Sequence, residues 1–120
     1  MTDAELLNVQ KFDSNGNFIT KWSSEGAGDG QFAWLESIDT DSGDNVYAVD
    51  MDNDRVQEFT SDGQFISKWG TGGDADGQFR KPAGIAIDAS DNVYVTDQDN
   101  GLVQKFTSAG QFIESWGHIG

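Results

Sequence analysis

Asp50, Asp52 and Asp54 alternate along the run DMDND, and three carboxylates so spaced could offer hard oxygen ligands to a cation such as Ca²⁺. Asp97 and Asp99 repeat the first two acids, but Gly101 takes the third place, and no glutamate follows at the distance an EF-hand loop requires. The competing reading is that these are turn residues whose carboxylates cap nearby backbone N–H groups. The stretch Asp39-Thr40-Asp41-Ser42-Gly43-Asp44 is also rich in oxygen ligands, yet it aligns with Ala86 to Asp91, which reads as a strand end and a turn. Trp34 is a further candidate contact, because it occurs once beside Phe32 where the later copy has Lys81. Nucleophilic or metal-histidine chemistry has little to work with: there is no cysteine, and the single histidine is His118, near the C-terminus.

These residues are placed by a repeat. Val9 to Ser23 (VQKFDSNGNFITKWS), Val56 to Gly70 (VQEFTSDGQFISKWG) and Val103 to Gly117 (VQKFTSAGQFIESWG) are versions of one another, and Trp22, Trp69 and Trp116 stand 47 residues apart. Gly30-Gln31-Phe32 returns as Gly77-Gln78-Phe79, Asn45-Val46-Tyr47 as Asn92-Val93-Tyr94, and Asp50 as Asp97, while Thr2-Asp3 falls where Thr96-Asp97 falls later. The chain of 120 residues spans about two and a half periods.

Within a period, four runs have the β-branched and aromatic content of strands: Ala83 to Asp88, Asn92 to Asp97, Leu102 to Phe106 and Gln111 to Trp116. Asn, Asp, Ser and Gly punctuate them, which predicts a four-stranded antiparallel meander. Both faces of such a sheet carry apolar groups, so it must be sandwiched between neighbours, and other copies of itself are the neighbours on offer. Radially stacked sheets satisfy this, which makes the expected fold an all-β propeller segment of about two and a half blades. The recurring Phe12, Phe59 and Phe106, with the three spaced tryptophans, are expected in the core between blades.

The string GQFRKPAGIAIDASDNVYVTDQDNGLVQKFTSAGQFIESWG resembles the NHL repeat, and the resemblance extends over nearly the whole chain. It implies a propeller, in agreement with the strand pattern. One segment, 1–120, is expected, with an outer half-blade and linker at 1–31 and full blades at 32–70 and 79–117. The earlier full copy departs from the pattern: Asp39 stands for Ala86 and Thr40 for Ile87 on the strand expected to line the central channel. Loss of the isoleucine should loosen packing there, and Asp39 could add a charge to the wall.

Propellers close with four to eight blades, so two and a half cannot close alone. An open blade face of roughly 500 Å² apolar area would cost on the order of 10 kcal/mol, comparable to the stability of a domain. Either the chain assembles with copies of itself, a dimer being the first expectation, or it is part of a longer propeller. The orphan outer hairpin, Val9 to Ser23, complicates simple addition of two chains.

The formal charge is −14, from 21 acidic and 7 basic side chains. Such a chain repels phosphates, so nucleic acid and anionic membrane partners are not expected, and RNA binding through basic surfaces is not carried over from NHL propellers that have them. The acids Glu25, Asp29, Asp74 and Asp76 join Asp50, Asp52, Asp54, Asp97 and Asp99 on one expected rim, which favours a basic protein or peptide. The acidic start, Met1 to Glu5, is unlike a signal peptide, no run reaches transmembrane length, and compartment is left open. The functional expectation is a non-enzymatic, self-assembling interaction scaffold with no cofactor, Ca²⁺ being the one candidate ion. The alternative is a metal-dependent hydrolase or lyase with its site at the central channel of an oligomer.

Overall fold

The computed structural model describes residues 2–3, 8–12, 18–22, 24–26 and 28–117, with side chains described from Gly26 onward. Every regular element among the described residues is a strand, and no helix there is long and apolar enough to cross a membrane. Strands β1 (Thr2–Asp3), β2 (Asn8–Phe12) and β3 (Phe18–Trp22) form the first sheet. Two short strands, β4 (Ser24–Glu25) and β5 (Gln31–Phe32), pair in parallel between it and the next. The second sheet is β6 (Leu35–Thr40), β7 (Val46–Asp50), β8 (Arg55–Phe59) and β9 (Phe65–Trp69). The third is β10 (Pro82–Ile87), β11 (Val93–Asp97), β12 (Leu102–Phe106) and β13 (Phe112–Gly117). Each sheet is an antiparallel meander in chain order, as the alternation of strand and turn residues predicts.

The period survives at the level of single hydrogen-bonded pairs. Val9 faces Trp22, Val56 faces Trp69 and Val103 faces Trp116, and each hairpin has a register shift at the phenylalanine that ends the first strand. Thr2 and Asp3 pair with Val9 and Asn8 as Thr96 and Asp97 pair with Val103 and Leu102. The first sheet is therefore the outer hairpin with the end of one more strand attached, which the repeat of Thr-Asp foreshadows.

Turn chemistry follows residue type. Asp44 and Asp91, with φ of 66° and 64°, make the turns that join the two inner strands of the second and third sheets, a left-handed conformation that aspartate tolerates better than most residues. Asp41 closes the first of these turns by accepting the Gly43 and Asn45 N–H groups at 2.9 and 3.0 Å, and Asp88 does the same for Ser90 and Asn92.

Two apolar layers result. Phe32, Leu35, Val46, Ala48 and Phe59 cluster on one face of the second sheet. Its other face meets the third sheet, where Tyr47, Val49, Val56 and Trp69 pack against Phe79, Val93, Val95 and Phe106. Gly110 makes this approach feasible, because a Cβ there would lie 2.6 Å from the Trp69 ring.

The polar departures on β6 have a role in this packing. Instead of merely loosening the inner edge, Asp39 accepts the Ile87 N–H at 2.8 Å with one oxygen and the Thr40 N–H at 2.8 Å with the other. Ser37 donates its hydroxyl to the Ala83 carbonyl at 2.6 Å, and Asp91 accepts both the N–H and the hydroxyl of Ser42, at 2.9 and 2.6 Å. The innermost strands of adjacent sheets are thus joined by side chains. Asp39→Ala should cost about 1–2 kcal/mol by removing an ionised acceptor from a partly buried N–H, and Asp39→Asn should recover most of it; urea unfolding at neutral pH measures both.

Candidate interaction surface

The sequence-derived acids separate into two groups once their surroundings are known. Asp50 is fully buried and accepts the N–H of Trp34 at 3.0 Å, the N–H of Ala33 at 3.1 and 3.2 Å, and the Asn53 side-chain amide at 2.8 Å. Arg55 lies 3.5 Å from it. Asp97, 1% exposed, repeats the arrangement with the Arg80 N–H at 2.7 Å and the Asn100 amide at 2.8 Å. Asp54 accepts the Lys81 N–H at 3.0 Å and so ties the second sheet to the loop leading into the third. Asp52 and Asp99 are exposed. Among the described residues no three His, Cys, Asp or Glu side chains gather to hold a metal ion. His118 lies outside the described residues.

A pair of glutamines completes this network, and their repeat in VQEF and VQKF was the available signal. Gln57 accepts the Gly30 N–H at 2.8 Å and donates to the Gln31 carbonyl at 2.6 Å. Gln104 does the same for Gly77 and Gln78, at 2.9 and 2.6 Å. Each Gly-Gln-Phe segment is thereby held over the sheet, and its phenylalanine, Phe32 or Phe79, is driven into the core. Asn53 and Asn100 reach back to the Gly26 and Gly73 carbonyls, at 3.1 and 3.0 Å, so the long loop preceding each complete sheet is clamped at both ends. Two cations on this rim are engaged as well: Lys68 meets Asp29 at 2.6 Å, and Arg55 donates to the Gly28 and Gln31 carbonyls at 3.1 and 2.5 Å. Trp34 is 42% exposed and donates its indole N–H to Glu36 at 2.7 Å.

The largest asymmetry lies elsewhere, between two faces that the repeat makes equivalent. On the second sheet, Tyr47, Val49 and Val56 are fully buried, and Trp69 packs edge-on to Tyr47 and tilted against Phe106. Their counterparts on the third sheet are Tyr94, Thr96, Val103 and Trp116. Trp116 is 45% exposed and touches one aromatic ring, Tyr94. Ile66 and Ile113, which occupy equivalent places on β9 and β13, are exposed to the same extent, 43% and 42%. The difference at tryptophan is therefore due to a missing neighbouring sheet and not to position on the outermost strand. The expectation that the spaced tryptophans are core holds for Trp69; no sheet among the described residues covers the Trp116 face, and the side chain of Trp22 lies outside the described residues.

Charge adds a pH dependence to the joint between sheets. Asp91 is held below the usual carboxylate range by the Ser42 hydroxyl and N–H, and Asp88 by the Asn92 N–H together with the Tyr94 hydroxyl. Groups with lowered folded-state pKa stabilise above their unfolded value, near 3.9 for Asp, and lose that contribution as pH falls through the folded value. The stability difference between the parent and Ser42→Ala should be present at pH 7 and shrink below about pH 4, as urea unfolding across that range would show. Tyr47 runs the other way: burial first, then its hydrogen bond to Asp41, pushes the phenol above its ordinary value. Its contribution is complete at neutral pH and fades as pH rises past about 10, where an unfolded tyrosine ionises.

Sheets of four antiparallel strands, apolar on both faces and stacked through a Phe-Trp layer, are the blades of a β-propeller, and that is the class of this protein. The family model for the NHL repeat matches residues 79–106, within the chain's last blade. No curated protein matches the sequence. Among solved structures, a streptogramin B lyase superposes with a TM-score of 0.70 at 18% identity, over 95% of this chain and 35% of the lyase. A catalytically inactive virginiamycin B lyase from Staphylococcus aureus, solved with quinupristin, gives 0.70 at 13% identity, over 97% of this chain and 36% of its own. A putative exported protein from Bacteroides fragilis gives 0.69 at 16% identity, over 98% and 34%. At these identities the likeness is one of fold, and the chain spans about a third of the length of the structures it matches.

Proposed function

We propose that this chain is a non-enzymatic, self-assembling propeller segment that acts as an interaction scaffold. The observation that carries the reading is the unequal burial of equivalent faces: Trp69 sits between blades, and Trp116, with the same strand register, is 45% exposed. A face of this composition, already seen covered once within the chain, is a standing site for another blade. The exposed acids Asp52, Asp74, Asp76 and Asp99 on the loop rim would favour a basic protein or peptide as the guest of the assembled ring. The buried acids Asp50 and Asp97 are occupied in holding loops, which favours scaffold over catalysis.

If folding and assembly are linked, the melting temperature should rise with protein concentration, because association removes only the folded form from the unfolding equilibrium. A melting temperature constant over a hundredfold range of concentration would contradict the proposal.

A further inference from the structure

We infer that the Trp116 face of the third blade seats on the outer hairpin, β2–β3, of a second copy, giving a head-to-tail contact. This rests on the self-assembly proposed above and specifies its geometry. The template is the interface within the chain. Trp69 is received there by the outer hairpin of the following blade: its ring packs 5.7 Å from Phe106, a Cβ on Gly110 would meet it at 2.6 Å, and the Tyr47 hydroxyl, bonded to Asp41 at 3.0 Å, also lies 3.3 Å from the Ser108 carbonyl. The β2–β3 hairpin has the register of that receiving hairpin, with Val9 opposite Trp22 and the same shift before Phe12 as before Phe106.

The third blade lacks side-chain bonds that the second blade makes to its neighbour. Ser37, Asp39 and Ser42 join the second blade to the innermost strand and inner turn of its neighbour. Their repeat counterparts are Gly84, Ala86 and Ala89, none of which carries a polar side chain. The third blade therefore presents an aromatic face suited to an outer hairpin, with no side-chain groups to bond a neighbour's innermost strand. The first sheet offers such a hairpin in β2 and β3. Such a contact joins two different surfaces, so it closes a ring or extends a chain and does not pair like with like.

The test uses two variants of the full chain. Trp116→Arg should abolish the donor face and Phe12→Asp the receiving hairpin, each giving single chains of 13.0 kDa by light scattering. Mixed at equal concentration, they should form a complex of twice that mass, because the mixture contains one intact face and one intact hairpin. Gln10→Arg replaces Phe12→Asp if the latter loses its β-sheet circular dichroism. A parent of 13.0 kDa would overturn the self-assembly proposal itself. A parent of higher mass, with Phe12→Asp and Gln10→Arg both folded and still assembled, or with a mixture that stays at single-chain mass, would overturn only the head-to-tail geometry.

Discussion

Asp50→Ala should be among the most damaging single substitutions in this protein, costing about 3–5 kcal/mol, while Asp52→Ala, two residues away, should change stability by less than about 0.5 kcal/mol. The contrast follows from burial and partners. Removing the Asp50 carboxylate leaves the Ala33 and Trp34 N–H groups and the Asn53 amide without their acceptor, and leaves the Arg55 charge buried without its carboxylate. Asp52 is exposed on the loop between β7 and β8. Asp50→Asn should fall between, since it keeps an acceptor and gives up the charge. Urea unfolding of the three variants at pH 7 checks the order, and equal losses at positions 50 and 52 would contradict the clamp.

The second large effect is a matched pair. Trp69→Ala should cost about 3–5 kcal/mol, the usual range for emptying a large aromatic site in a packed core. If the Trp116 face is covered in solution as the Trp69 face is covered within the chain, Trp116→Ala should cost a comparable amount at concentrations where the parent is assembled. If the face stays open to water, Trp116→Ala should behave as an exposed substitution and stay within about 1 kcal/mol of the parent. Thermal or urea unfolding at high and low concentration separates the cases, because only the first makes the cost of Trp116→Ala depend on concentration.

Most of the fold is legible in the repeat. Strands alternate with turn residues at a spacing that leaves little freedom, and apolar residues on both sides of each strand require stacked sheets. Single side-chain bonds between blades are less accessible to such a pattern. Asp39 reads as a misfit on an apolar strand because its partner, the Ile87 N–H, is 48 residues away and belongs to the backbone, which carries no sequence signature. Asp50 and Asp97 read as ligand candidates because a carboxylate that caps buried amides and one that awaits a cation look alike in one dimension. Their burial, and the repeated Asn53/Asn100 and Gln57/Gln104 around them, distinguish the two roles in three dimensions. An open blade face follows from the count of two and a half blades, but that Trp116 is the residue left on it depends on the side from which each blade meets the next, which the repeat does not encode.

Absolute mass in solution, measured by light scattering across a dilution series, decides whether another copy covers the Trp116 face. Self-assembly through the Trp116 face predicts a mass that is a multiple of 13.0 kDa in the parent and falls to 13.0 kDa in Trp116→Arg. A folded, monodisperse parent of 13.0 kDa at every concentration would contradict it.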